Sequence, residues 1–315
     1  MSTKPSLIQH FARVPAPPPY EHRGASVHSF SLSAPLQSLQ DLCDAWFDKA
    51  SGSAVRYTVL LPKLFVMVAN IAEVQPGDPA HADLGITSEI DVGLWLLALR
   101  TWPFSPVPRW IPVRLLVDSA DAVVVGREVF GFPKEMGRMN IPSTAPSAGP
   151  FDVQAFVTPA AYQRMAWKDV INIRSVGPAG PVGSVWATVD EATQAVVDEL
   201  LAQMDFGWIS GLIPAAAMRA GFRPGLFPFA FLKQFMAIDA PDEACHQSIV
   251  EAQSRLLAFR RGGFTRERFE VLITSHHTHP FHQFLGITPG WQPVGRAIWS
   301  DFDFMVEAGS VLHQS

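Results

Sequence analysis

The 315-residue chain has a formal charge of −5, which leaves no basic field for a nucleic acid, and no Lys/Arg block substitutes for one. Hydrophobic residues make up 48% and charged residues 17%, a composition that fills a large core and excludes a disordered chain. The two cysteines, Cys43 and Cys245, lie outside any Cys-x-x-Cys or Cys/His pattern, so the sequence predicts neither a disulfide framework nor a cysteine zinc site, and a reducing, cytoplasmic location.

In chain order, Met1–His10 lacks the continuous apolar core of a signal peptide, and Val14–Pro19 is a proline-rich break. Leu36–Cys43 repeats apolar residues at helical spacing. Strand-like runs follow at Arg56–Leu61, Leu64–Ile71 and Val92–Leu99. The last is the longest apolar run and is far too short to cross a membrane. Beyond the break Pro103–Pro108, further strands are predicted at Val113–Val117, Ala122–Val125, Asp152–Val157 and Phe269–Thr274, with another break at Pro142–Pro146. Several of these runs are too apolar to have a wet face, so both faces are expected to be covered.

The apolar spacing of Val196, Val197, Leu200, Leu201 and Met204 predicts a helix, with Asp190 as its N-cap. Ala244–Phe259 fits a helix or a long strand equally. Glycine and proline near residues 177–183 mark a possible boundary, but no repeat or long linker divides the chain, and residues 1–315 are read as one domain. The aromatic, apolar composition favours a homo-oligomer.

The chemistry centres on the stretch from Val123 to Gly137. Phe132 precedes a proline and is therefore biased to extended backbone, which predicts a strand running from Val123 and ending at Lys134. Gly126 and Gly131 relieve bulk where that strand bends. The pattern Gly126-Arg127-Glu128-(x)3-Phe132-Pro133-Lys134 resembles the Gly-Arg-Glu-(x)3-aromatic-Pro-Lys signature of the acetoacetate decarboxylase family, whose lysine forms a Schiff base with substrate. The resemblance extends weakly to Ile86–Glu89, similar to the family's acidic loop, and to His276–Pro280 with Pro293 and Val294, similar to its C-terminal segment.

This resemblance implies a β-dominated α+β fold, a cone-like antiparallel β-barrel with flanking helices. It also implies a cofactor-independent decarboxylase for acetoacetate or a related small β-keto acid. Lys134 is then the imine-forming nucleophile and Glu89 the proton-transfer residue. Arg23 is the nearest counterpart of the family arginine that holds a substrate carboxylate. The family's other pocket acid falls within Leu64–Ile71, where this chain has none.

Attack requires a neutral amine, and lowering a lysine from about 10.4 to ~7 takes roughly 4–5 kcal/mol against the ammonium. Burial among Phe130, Phe132 and Met136 is the expected source. Glu135 stands where founding family members carry a second lysine, and at ~4 Å it would favour the ammonium by about 4 kcal/mol. Alternation along an extended segment is expected to turn it away. Arg127 and Glu128 are expected to brace the turn structurally.

The same imine serves aldol condensation and dehydration of a pyruvate-type keto acid, and a charged Lys134 would instead suit a non-catalytic binder of small carbonyl compounds. His277 and His279 would share one strand face at chelating spacing, yet no acidic or cysteine ligand adjoins them, and no metal is expected. Asp301 and Asp303 are read as solvated turn residues, and Trp95, Trp167, Trp186 and Trp208 as core or interface.

Overall fold

The computed structural model describes residues 16–178, 185–204, 215–294 and 297–315. The expectations for Met1–His10, Val14–Pro15, Gly180–Pro181 and Trp208 fall outside these residues.

The strands are β1 (Tyr20–Ser33), β2 (Arg56–Val59), β3 (Lys63–Pro76), β4 (Thr87–Trp102), β5 (Pro108–Val117), β6 (Lys134–Asn140), β7 (Phe151–Val157) and β8 (Ala166–Pro178). They continue with β9 (Val185–Trp186), β10 (Leu226–Met236), β11 (Ala244–Phe264), β12 (Glu267–Ile273), β13 (Gln292–Pro293), β14 (Ile298–Val306) and β15 (Ser310–Gln314). The described helices include α1 (Leu36–Cys43), α2 (Ala120–Val125) and α3 (Val189–Gln203), with others at Ala215–Gly221 and Phe281–Leu285. Among the described residues no helix is long and apolar enough to cross a membrane.

The hydrogen-bonded path runs β13-β12-β8-β7-β6-β5-β10-β11-β14-β1-β3-β4-β2. Because β4 also pairs with β5, the stretch from β5 through β10, β11, β14, β1 and β3 to β4 returns on itself as a sheet ring. The ring is not wholly antiparallel: β5 meets β10 in parallel, at the single register pair Phe229↔Trp110. Off the ring, β5 also pairs with β6 in parallel.

Alternation along the long strands divides their residues between two interiors. On β3, Leu64, Val66 and Val68 face one way, and on β4 so do Val92, Leu94 and Leu96. All six join the main core with Phe30 of β1, Phe151 of β7, Ile171 of β8 and Phe269 of β12. Phe30 meets Phe151 and Phe269 edge-on at 5.3 and 5.0 Å between centroids. The alternate residues, Phe65, Met67, Ala69 and Ile71 on β3 with Glu89, Asp91 and Trp95 on β4, line a cavity inside the ring. Both faces are therefore covered, which is why these strands read as unbroken apolar runs.

Several local expectations are corrected. Val123–Val125 is helical: Ser119 caps α2 through the Ala122 amide at 3.4 Å, and Asp121 lies in the first turn, so capping overrides the β-branched valines. A π-helical turn, Gly126–Phe130, continues it and ends at left-handed Gly131 (φ +102°). The N-cap of α3 is Thr188, in a reciprocal capping box with Glu191, rather than Asp190. Ala244–Phe264 resolves to strand. Asp301 and Asp303 lie within β14, where they pair with Arg261 and Arg260 at 2.8 and 2.5 Å.

Candidate active site

Lys134 opens β6 rather than closing a strand. Pro133 supplies a carbonyl to the Leu115 amide at 3.1 Å, and Lys134 sits in register with Leu115 of β5. The glycines of the preceding turn are steric necessities. A Cβ on Gly126 would lie 2.5 Å from Lys134 Cδ, and one on Gly131 would lie 2.5 Å from Lys233 Cβ. The lysine chain thus lies along the bare backbone of Gly126 and enters the ring.

Its Nζ reaches two carboxylates of β4, Glu89 Oε1 at 2.5 Å and Asp91 Oδ2 at 3.6 Å. Two residues apart on one strand, these acids share the inner face. All three side chains are largely withdrawn from water, 11% exposed for Lys134, 5% for Glu89 and 20% for Asp91.

Burial pulls the Lys134 amine down, but the charges and hydrogen bonds of Glu89 and Asp91 outweigh it and leave its pKa above that of free lysine. The expectation of a neutral amine is corrected: beside these two acids Lys134 is an ammonium. Burial pushes Asp91 up to about 7, with Lys134 opposing and Glu89 adding to the rise.

His22 also lines the cavity. It stacks on Phe304 at 4.3 Å, and its Nδ1 donates to the Tyr20 carbonyl at 3.2 Å, which leaves the Nε2 lone pair free of that bond in the neutral ring. Burial holds His22 down at about 4, so it is neutral near pH 7.

The other predicted site residues divide. Phe130 and Phe132 line the cavity with their rings 5.7 Å apart, and the Phe132 centroid lies 5.7 Å from Lys134 Nζ. Met136 does not line it and is 39% exposed. Arg23 is a correction: it points outward and pairs with Glu21 at 2.9 Å, because a register shift between His22 and Ala25 follows an alternation that puts His22 inward. Arg127 and Glu128 are exposed and make no ion pair or side-chain hydrogen bond among the described contacts, so the expected brace is not made; backbone bonds from Gly131 and Phe132 to the Gly126 carbonyl close the turn instead. Glu135 turns away from the amine, accepting from His279 Nε2 at 2.8 Å and Arg114 Nη1 at 3.3 Å.

The histidines form no strand face, since His276 and His279 close a tight turn. His276 and His282 ring nitrogens bond the Asp169 and Ile273 carbonyls at 3.0 and 2.7 Å. Among the described residues no cluster of His, Cys, Asp or Glu is arranged to hold a metal ion.

The cavity measures about 500 Å³. Sheet register orders its wall in successive rungs: Ile71 opposite Glu89, Ala69 opposite Asp91, Met67 opposite Gly93 and Phe65 opposite Trp95. Across β1 the corresponding residues Val27, Ser29 and Ser31 stand opposite Ala69, Met67 and Phe65. Polar chemistry therefore occupies the Glu89–Asp91 end, and aromatic rings the Trp95 end. Sequence reasoning missed Asp91, His22 and the placement of Trp95. Continuing the two-residue alternation from Glu89 would have found Asp91 and Trp95.

No protein-family model and no curated protein sequence matches this chain. Among solved structures, acetoacetate decarboxylase from Legionella pneumophila superposes with a TM-score of 0.64 at 9% identity, covering 98% of this chain and 93% of that one. The fold is acetoacetate decarboxylase-like. An acetoacetate decarboxylase-like enzyme from Sphingomonas wittichii RW1 aligns at TM-score 0.58 and 12% identity over 98% of this chain and all (100%) of that one. The enduracididine biosynthesis enzyme MppR complexed with pyruvate aligns at 0.54 and 14%, over 94% and 91%. In the acetoacetate decarboxylase-like frame described above, Lys134 points from the start of β6 into the interior of the ring.

Proposed function

We propose that this protein is a Schiff-base lyase that decarboxylates a β-keto acid bound as an imine on Lys134. The observation that carries the reading is the buried Lys134 amine, hydrogen-bonded to Glu89 and adjoined by Asp91, at the polar end of a largely apolar cavity.

An ammonium is not a nucleophile, so the resting ion pair must discharge before attack. As substrate fills the cavity and displaces water, the cost of keeping opposite charges buried rises. Moving one proton from Nζ to Glu89 along their short hydrogen bond removes both charges at once. The free amine then adds to the ketone carbon, and the Glu89 acid returns the proton to the carbinolamine oxygen, which leaves as water. In the resulting iminium, the electron pair of the C–CO2 bond flows toward nitrogen as CO2 departs, leaving an enamine. Asp91, poised near 7, delivers a proton to the enamine carbon; water added to the imine carbon then frees the ketone and the lysine ammonium, and Asp91 takes the one proton the reaction consumes back from solvent. Phe130 and Phe132 keep bulk water from the intermediate.

Aldol chemistry on the same iminium is the second reading. Its support is the neighbour MppR, described in complex with pyruvate and with the condensation product of pyruvate and imidazole 4-carboxaldehyde.

Borohydride reduction in the presence of acetoacetate or pyruvate tests the proposal. The expected result is a covalent mass gain that Lys134→Ala abolishes, with CO2 released from the β-keto acid. Trapping without CO2 release favours the aldol reading. Failure to trap at any pH up to ~9 removes both and leaves a binder whose Lys134 stays charged.

A further inference from the structure

The cavity is larger than the simplest β-keto acid needs. At the ~30 Å³ that a water molecule occupies, a generous share, the seven non-hydrogen atoms of acetoacetate take up roughly 200 Å³. The cavity holds about 500 Å³. The remaining volume is not polar space for a second charged reactant. Beyond the Asp91 rung, its walls are Met67 and Phe65 of β3, Trp95 of β4, Trp110 of β5 and Phe229 of β10, with Val196 of α3 across from them.

This apolar end is built rigidly. Trp95 packs against Phe229 at 5.6 Å and against Phe132 at 6.5 Å, so the wall beside Lys134 is continuous with the far end. Gly93 permits this packing: a Cβ there would lie 2.2 Å from Trp95 Nε1 and 2.4 Å from Leu115 Cδ2, so only glycine lets those two side chains settle against its backbone. Leu200 of α3, Met204 just after it and Met218 of the helix Ala215–Gly221 seal the region by packing with Phe65, Trp95 and Leu97. The polar side chains on the matching rungs of β1 are the hydroxyls of Ser29 and Ser31. Among the described lining residues the side chains with a full positive charge are Lys134 and the exposed Arg223. The wall formed by Phe65, Met67, Trp95, Trp110 and Phe229 itself carries no charge, and the cation that lines the cavity near it, Arg223, is exposed.

We infer that the substrate is a 3-oxo acid whose ketone carries an apolar tail, alkyl or aryl, of about six to ten non-hydrogen atoms by the same volume share, lodged between Trp95, Trp110, Phe229 and α3. This rests on the Schiff-base reading above. The carboxyl group and ketone occupy the Lys134 end, and the tail gains burial against walls that exist before it arrives.

The test is a chain-length series of 3-oxo acids with four, six, eight and ten carbons, assayed by CO2 release and by borohydride trapping. The tail predicts that kcat/KM climbs about fourfold per added methylene, the equivalent of ~0.8 kcal/mol at 1.36 kcal/mol per decade, until the far wall is reached. Val196→Trp, which fills the far end, is expected to lower the eight-carbon to four-carbon ratio of kcat/KM at least tenfold. Acetoacetate turned over as well as the longer acids overturns the tail while leaving the Schiff-base reading intact, whereas no adduct with any acid overturns that reading itself. An unchanged ratio in Val196→Trp, with native circular dichroism, contradicts the placement of the tail against α3.

Discussion

Replacing Glu89 by glutamine deletes the nearer of the two acids that hold Lys134. At 2.5 Å and an effective dielectric of 20, the two charges attract by about 6–7 kcal/mol, little screened because the side chains are only 11% and 5% exposed. Desolvation of both groups consumes part of this attraction, and breaking such a pair from one side costs about 3–5 kcal/mol. Asp91 stays 3.6 Å from the amine and, relieved of its neighbour's charge, ionises more readily. That places Glu89→Gln near the lower end, about 3 kcal/mol less stable. Lys134→Met in the same background removes the stranded ammonium and should recover most of the loss. Urea unfolding of the four proteins in this double-mutant cycle near neutral pH, with m-values checked for constancy, is expected to give a coupling of about 2–3 kcal/mol. A coupling below ~0.5 kcal/mol, the scatter of independent sites, would falsify the buried pair and the proton path drawn from it.

Stability should also respond to pH in opposing ways within one window. Asp91 binds its proton up to about 7 when folded against 3.8 for an ordinary aspartate, so its contribution to stability falls as pH rises between those values. His22 and His28, both held down at about 4 from 6.5 chiefly by burial, make contributions that rise with pH over nearly the same range. Asp91→Asn should therefore steepen the gain in Tm from pH ~4.5 to ~6.5, and a flatter curve contradicts the assignment. Glu135→Gln removes the charge and one of the two acceptor oxygens that serve His279 and Arg114 on the far side of β6, at a cost of about 1.5–3 kcal/mol, while the pH profile of borohydride trapping stays put. A shifted profile would mean that Glu135 senses the amine. Gly126→Ala places a methyl 2.5 Å from Lys134 Cδ, and a displacement near 1 Å is expected to slow trapping on the order of 100-fold. Wild-type trapping rates in a folded Gly126→Ala protein refute the close fit.

How far the sequence foretold the molecule depended on the range of the interaction concerned. Period-two patterning is local, so the covered strands around Leu64–Ile71 and Val92–Leu99 were readable from their composition alone. The same periodicity carried the second acid: Asp91 follows Glu89 by two residues, and looking for that acid on β3 instead of β4 hid it. At Ala122–Val125, three valines outweighed Ser119 and Asp121 in the reading, whereas in the fold the capping groups prevail and the lysine arrives from a helix. Arg23 failed for a different reason. The register slip beside it arises where β1 pairs with β14, its register with β3 running unbroken, and single-chain alternation does not contain it. Least accessible were contacts such as Glu135 with His279, 144 residues apart, and the return of β4 to β5 that encloses the cavity. The amine's charge depended on both kinds of information. Its greasy surroundings were visible in Phe130 and Phe132, but the sign of the net effect was set by acids whose convergence only the folded ring reveals.

Peptide mapping of the borohydride-reduced protein after incubation with a 3-oxo acid addresses the central claim most directly. A single reduced adduct on the peptide containing Lys134, forming near neutral pH and lost when that residue is replaced, is the predicted result. Modification at a different lysine, or none at Lys134 while CO2 is still evolved, contradicts it.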